Sequence, residues 1–96
     1  MSGVVGQVVT RWLISGRVQG VGFRWFVARH AHAEDIVGWV RNLPDGRVEV
    51  VARGQDEALR TLEARLRAGP PSAAVSSVER ADIPHDLVSC KTFEIR

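Results

Sequence analysis

Segments rich in β-branched and aromatic residues alternate along the chain with two segments in which hydrophobic residues recur at helical spacing. Strands are predicted over residues 7–15, 36–43, 47–53, 75–83 and 91–96. Residues 7–15 are hydrophobic on both phases of the alternation, which predicts a central strand covered on both faces. Pro44-Asp45-Gly46 predicts a hairpin turn, because proline presets φ and glycine permits positive φ.

Each helical segment carries one hydrophobic stripe. The first helix is predicted over residues 23–34, and its stripe consists of Phe23, Phe26, Val27, His30 and Ala31. The stripe of the second helix consists of Leu59, Leu62 and Leu66. This helix begins at Asp56, whose charge suits the positive end of the helix dipole, and Gly69-Pro70-Pro71 ends it.

The resulting order is βαββαβ followed by a terminal strand. This order predicts an α+β fold, an α/β sandwich in which two helices cover one face of a mostly antiparallel sheet, with a short C-terminal edge strand. Residues 1–6 are small and rich in glycine and are predicted to form a flexible tail, so the domain is expected to cover residues 7–96. The three tryptophans are expected in the core and on the sheet faces.

Composition narrows the class of protein. A chain of 96 residues forms one domain, and a net charge of +2 is too small to indicate nucleic-acid binding by itself. Cys90 is the only cysteine, so no internal disulfide and no cysteine-based metal cage can form. Neither a secretory signal nor a membrane-spanning run is recognised, which predicts a cytoplasmic protein without a membrane partner.

The glycine-rich segment between the first strand and the first helix is the main candidate for chemistry. Glycines at 16, 20 and 22 let successive N–H groups point inward, and the start of a helix adds further donors. Arg24, in the first turn, can grip two anion oxygens at once. The spacing matches neither a Walker loop nor the dinucleotide fingerprint. On glycine count alone, a tight connection without a ligand stays an open alternative.

Asn42 is the second candidate, because it ends a strand just before the hairpin turn. Its carboxamide can either hydrogen-bond the turn backbone, which is the more common role, or orient a water molecule with its donor and acceptor.

The segments 14–24 and 38–54 resemble the two signature motifs of the acylphosphatase family. The resemblance covers nearly the whole chain and implies a ferredoxin-like sandwich that hydrolyses acyl phosphates to a carboxylate and phosphate. It implies that Arg24 is the catalytic, phosphate-binding arginine and that Asn42 positions the attacking water. The implied phosphate-binding residues are Arg17, Val18, Gln19, Gly20, Val21, Gly22, Phe23 and Arg24. No cofactor or metal is expected, and the partners are acyl phosphate and phosphate bound by a monomer.

One segment departs from the family pattern. Glu34-Asp35-Ile36 stands where the family usually has Leu-Gly-Leu, so Glu34 falls on the hydrophobic stripe and Asp35 replaces the glycine that ends the helix. Aspartate can adopt the left-handed conformation at some cost, so the departure is expected to weaken the end of this helix.

Two rival functions remain open. RNA-recognition domains share this fold, and residues 21–27 loosely resemble their aromatic motif, although here the aromatic residues have helical spacing. The second rival is a specialised acylphosphatase-like domain, such as the one that begins the hydrogenase maturation proteins that process carbamoyl phosphate. Those proteins are much larger, so the length of this chain favours the stand-alone enzyme.

Overall fold

A computed structural model describes residues 7–84 and 88–96 of the chain. Seven elements follow the predicted order: β1 Gln7–Arg17, α1 Phe23–Ala33, β2 Val37–Asn42, β3 Val48–Gln55, α2 Asp56–Ala68, β4 Ala74–Asp82 and β5 Phe93–Ile95. The predicted tail at residues 1–6 lies outside the described residues. Most of the predicted boundaries differ from the observed ones by one or two residues.

The strands form one five-stranded sheet in the order β4-β1-β3-β2-β5. Strand β1 lies between β4 and β3 and is antiparallel to both, which confirms its predicted central position. Strand β5 is parallel to β2 at the sheet edge. The predicted sandwich with a mostly antiparallel sheet and a short terminal edge strand is therefore confirmed.

The main core lies between the sheet and the two helices. Trp12 and Ile14 of β1 are fully buried there against the leucine stripe of α2 and the inner face of α1. The buried residues of the two helices are Phe23, Val27, Ala28, Ala31, Leu59, Leu62 and Leu66. Burying a side chain of this size contributes about 1.5–3 kcal/mol. Trp12 satisfies its indole N–H by donating to Glu63 Oε1 at 2.9 Å.

The opposite face of the sheet is also partly covered. Val9 and Val51 pack against Val88 in a second, smaller buried cluster. On the same face Glu49 is only 4% exposed, held between Arg11 Nε at 2.7 Å and Arg41 Nε at 2.6 Å. Burial alone would raise the pKa of Glu49, but the hydrogen bonds from the two arginines outweigh it, so this pKa lies below its ordinary value.

Strand β1 is longer than predicted, because it continues through Gly16 and Arg17, which were assigned to the loop. A bulge between Ser15 and Gly16 shifts the register against β4. Gly16 has φ 121°, and a Cβ there would collide with the main-chain oxygen of Ala74. The absence of a side chain therefore permits the strand to continue, and the loop begins only at Val18.

The end of α1 adopts the expected left-handed turn. Asp35 has φ 57°, and the N–H of Ile36 donates to the oxygen of Ala31 at 2.9 Å. Glu34, expected on the hydrophobic stripe, is exposed at the position that caps the helix, so its charge stays out of the core.

Candidate active site

The loop from Val18 to Gly22 connects β1 to α1. Gly20 and Gly22 have φ 73° and 77°, both in the left-handed region that glycine adopts without strain. No atom beyond the neighbouring residues in the chain lies within 4 Å of the position where either residue would carry a Cβ. Backbone conformation, rather than lack of space, is therefore what requires glycine at these two positions.

This loop is anchored by buried side chains at its two ends. Val18 and Phe23 both belong to the main core. Between them the backbone offers donors, because the first hydrogen bond of α1 runs from Phe26 N–H to Gly22 O at 3.1 Å. Within residues 7–84 and 88–96 we find no acceptor for the main-chain N–H groups of residues 19–25. The loop and the first turn of α1 thus present unpaired donors at the positive end of the helix dipole.

A concavity of about 240 Å³ opens beside this loop. It is lined by Val18, Gly20, Gly22, Phe23, Arg24, Trp25 and Asn42. The two predicted catalytic residues therefore meet in one pocket, although they are carried by α1 and β2. Of the other predicted binding residues, Arg17, Gln19 and Val21 do not line it.

Arg24 is held at the edge of this pocket by the end of the chain. Its Nη1 donates to the main-chain oxygen of Arg96 at 3.1 Å. Arg96 is itself fixed, because its N–H donates to Val40 O at 2.8 Å and its guanidinium lies 4.3 Å from the ring centroid of Trp39. The sequence gives no signal for this contact, since Arg24 and Arg96 are 72 positions apart.

The carboxamide of Asn42 has no hydrogen-bond partner among the described side chains and backbone groups. The adjacent turn is closed by other groups: Leu43 N–H donates to Arg47 O at 2.8 Å, and Gly46 N–H donates to Leu43 O at 3.1 Å. The Asp45 carboxylate accepts from Arg47 N–H at 3.0 Å. The turn is complete without Asn42, so its donor and acceptor are available to the pocket.

Gln19 links the loop to this hairpin. Its Nε2 donates to Leu43 O at 2.8 Å and to Arg47 O at 2.9 Å. Both N–H groups of the carboxamide are thereby used within the protein. Residue spacing alone did not predict this link, because the partners are main-chain oxygens.

The described histidines and tryptophans do not line the pocket, apart from Trp25. His30 is half-buried with its ring 4.6 Å from that of Phe26, as expected of a packing residue, and burial together with Arg65 lowers its pKa. His32 is exposed, and His85 lies outside the described residues. Trp12 is in the core and Trp39 is on the sheet, but the prediction for Trp25 was wrong: it is 75% exposed on α1.

Neither a metal cluster nor a membrane span is recognised in the described part of the chain. No group of three or more His, Cys, Asp or Glu side chains there could hold a metal ion. None of the described helices is both long and apolar enough to cross a bilayer. The aromatic segment that raised the RNA-binding alternative lies in the loop and on α1, as its helical spacing indicated, and Phe23 is buried.

Comparison with known proteins identifies the family of this chain. The sequence profile of the acylphosphatase family matches residues 10–95. The chain belongs to the acylphosphatase family. Family membership implies an enzyme that hydrolyses acyl phosphates.

Individual relatives agree with this assignment. An acylphosphatase of Nitratidesulfovibrio vulgaris (strain DP4) is 51% identical over 84 residues, which cover 86% of this chain and 84% of that protein. The structure of an acylphosphatase from Coxiella burnetii aligns with a TM-score of 0.88 at 38% identity and covers 96% of this chain and 95% of that one. The structure of HypF from T. kodakarensis aligns with a TM-score of 0.79 at 33% identity over 91% of this chain, but over only 11% of HypF.

Proposed function

We propose that the protein hydrolyses acyl phosphates in the concavity beside the loop of residues 18–22, with Arg24 binding the phosphoryl group and Asn42 positioning the attacking water. The observation that carries this proposal is that unpaired main-chain donors, the Arg24 guanidinium and the free Asn42 carboxamide converge on one pocket. The family assignment supplies the reaction, and the pocket supplies the groups that the reaction needs.

Phosphate binding is assigned to the loop and to Arg24. Gly20, Gly22, Phe23 and Arg24 line the concavity at the start of α1, and their main-chain N–H groups are proposed to bind the anion. Arg24 adds a full positive charge and a planar fork that matches two phosphoryl oxygens. The buried side chains of Val18 and Phe23 hold this arrangement in place before the substrate arrives, so little ordering is required on binding.

Asn42 is assigned to the water. Its oxygen can accept from the water and its N–H can donate to the water or the substrate. In the proposed step the water oxygen bonds to phosphorus as the bond to the bridging oxygen breaks, and the water protons end on the phosphate product and the solvent. The leaving carboxylate has a conjugate acid pKa of about 4, so no general acid is needed at neutral pH.

The mechanism is proposed to need neither a metal ion nor a covalent intermediate. The residues that line the concavity include no carboxylate and no imidazole, the oxygen and nitrogen ligands that divalent cations take. Residues 16–24 contain no serine, cysteine, aspartate or histidine that could accept the phosphoryl group. The positive charge of Arg24 and the loop donors would balance the developing charge instead.

Residues 7–96 are proposed to act as one unit. The loop, Asn42 and Arg96 come from three separate parts of the chain, yet each is fixed to the same sheet. The proposed site therefore requires the whole sheet to be folded. The cytoplasmic location, the monomeric state and the lack of a nucleic-acid partner stay predictions.

Release of inorganic phosphate from benzoyl phosphate tests this function. The assay is run with a metal chelator and compares the wild type with Arg24→Ala and with Arg60→Ala as the matched control. Arg60 is an exposed arginine on α2 that pairs with Asp56 one turn away. We expect wild-type turnover in the chelator and a loss of about 10³-fold in kcat/KM for Arg24→Ala. Absence of wild-type turnover, or equal activity of the two variants, would overturn the proposal.

A further inference from the structure

The exposed hydrophobic surface of the protein is concentrated beside the active site. Within the described ranges, two large hydrophobic side chains are exposed: Trp25, at 75%, and Ile95, at 36%. Both line the same concavity of about 420 Å³, which we call the acyl groove. Its other lining residues are Ala28, Arg29, His32 and Phe93. Its volume lies within the range of small-molecule sites.

The acyl groove adjoins the anion pocket. Trp25 follows Arg24 on α1 and lines both concavities. In an acyl phosphate the acyl carbon is joined to phosphorus through a single bridging oxygen. The group that the acyl carbon carries is therefore held close to the mouth of the anion pocket. Among the described residues that line this pocket, Trp25 is the only large exposed hydrophobic one.

We propose that the acyl groove binds the acyl portion of the substrate and makes the enzyme prefer planar, apolar acyl groups, such as aromatic ones, over a small acetyl group. This inference rests on the proposed function. The indole of Trp25 supplies a flat face against which an aromatic ring can stack, and such a contact is worth about 0.5–1.5 kcal/mol beyond the buried area. An acetyl group is too small to use that face.

The far side of the groove is held in place by contacts with β5. His32 Nε2 lies 3.2 Å from the main-chain oxygen of Phe93, and the two rings meet edge to face at 6.5 Å between centroids. His32 itself is exposed, so its ring forms a wall of the groove rather than part of the core. The groove is therefore already formed in the free protein.

Charge further restricts the acyl group. Arg29 lies four residues after Trp25 on the same face of α1 and lines the groove. It forms no salt bridge with any carboxylate in the described part of the chain. A cationic acyl group would be repelled by this unpaired guanidinium, so the groove suits neutral or anionic acyl groups.

A second concavity beside the acyl groove is also lined by Trp25 and provides a control. It is lined by Gly22, Phe26, Pro70 and Pro71 in addition to Trp25 and Arg29. Pro71 is exposed and does not line the acyl groove. His32 lines the acyl groove and not this second concavity. Variants at Pro71 and His32 therefore distinguish the two concavities.

The test measures the ratio of kcat/KM for benzoyl phosphate to that for acetyl phosphate. We expect this ratio to fall about fivefold or more in Trp25→Ala, about twofold in His32→Ala, and little in Trp25→Phe, which keeps an aromatic face. Pro71→Ala is expected to keep the wild-type ratio. Trp25 and His32 are exposed, so their truncation leaves the core intact.

Binding is measured separately by the inhibition of acetyl phosphate hydrolysis by benzoylphosphonate, which cannot be hydrolysed. We expect the inhibition constant to be higher in Trp25→Ala than in the wild type. An unchanged ratio in Trp25→Ala, or a fall in Pro71→Ala as large as that in Trp25→Ala, would overturn the acyl groove. If the wild type hydrolyses neither substrate, the proposed function itself fails.

Discussion

Nε2 of Gln19 lies 2.8 Å from the main-chain oxygen of Leu43, so the loop proposed to bind phosphate is tied to the hairpin that carries Asn42. The same nitrogen donates to Arg47 O at 2.9 Å. One carboxamide thus sets the distance between the two halves of the proposed site. The side chain of Gln19 acts on the protein, and only its main-chain N–H is left to face an anion.

Replacing Gln19 by leucine is expected to impair catalysis without removing any group that touches the substrate. The variant keeps the size of the side chain but removes two hydrogen bonds to carbonyl oxygens that each keep one main-chain donor. The expected cost in the free energy of unfolding is about 0.5–1.5 kcal/mol for each bond. We expect kcat/KM for benzoyl phosphate to fall about tenfold or more, because small displacements of reacting groups are costly. Urea unfolding and steady-state kinetics check both effects. Gln7→Leu, on β1 away from the hairpin, is the control, and equal effects of the two variants would exclude the linking role.

Replacing Asn42 by alanine is expected to separate turnover from binding. The carboxamide makes no hydrogen bond within the described protein, so the fold should retain its stability. We expect kcat to fall about 10²-fold, as when a single polar group at a reacting centre is removed. The inhibition constant of inorganic phosphate, which reports on the loop and Arg24, should change less than about threefold. Full turnover by Asn42→Ala would contradict the assignment of the water to this residue.

Stability is expected to depend on pH through Glu49. Its pKa is lowered in the folded protein, so its contribution to stability is complete above the pKa of the unfolded chain and is lost as the pH falls through the folded pKa. Glu49→Gln should therefore destabilise the protein by about 2 kcal/mol at pH 7, where it weakens the charged hydrogen bonds of a buried carboxylate with two partly exposed arginines. The difference in the free energy of unfolding between the wild type and Glu49→Gln should shrink below about pH 4. Urea unfolding at pH 7 and pH 3 measures this difference, and an equal value at both pH values would contradict the role of the ionised Glu49.

The left-handed conformation of Asp35 offers a stabilising substitution. At φ 57° a residue with a Cβ is strained by about 1–2 kcal/mol, and glycine removes this strain. Part of the gain is offset, because glycine also has more conformational freedom in the unfolded chain. We expect Asp35→Gly to raise the free energy of unfolding by about 0.5–1 kcal/mol. Asp35 follows the far end of α1 from the pocket, so kcat/KM should match that of the wild type. Thermal unfolding and the same kinetic assay check the two expectations, and Glu34→Gly, one position earlier and with negative φ, is the matched control.

The fold could be predicted because glycine and proline mark its turns and the hydrophobic pattern fills the segments between them. The leucine stripe of α2 and the hairpin at Pro44–Gly46 needed no information beyond neighbouring residues. The extension of β1 through Gly16 could not be predicted in this way, because it depends on a close approach to Ala74 in a distant strand.

Parts of the candidate site could be predicted from local spacing and parts could not. The approach of Arg24 to Asn42 was implied by the family resemblance, and the pocket brings the two residues together. The contact from Arg24 to Arg96 depends on how β5 pairs within the sheet, and no local sequence pattern predicts this pairing. The exposure of Trp25 could have been recognised, since it lies off the stripe formed by Phe23, Phe26 and Val27. Its helical position therefore predicts its exposure better than its hydrophobic character does.

The most direct measurement of the central claim is a titration of the ¹⁵N-labelled protein with inorganic phosphate, followed by the amide resonances. The account predicts that the amides of residues 19–24 and the Arg24 Nε–H shift together with one dissociation constant, and that Arg24→Ala weakens all of these shifts. If those resonances stay in place at high phosphate while others move, the anion does not bind at this loop, and the proposed mechanism is wrong.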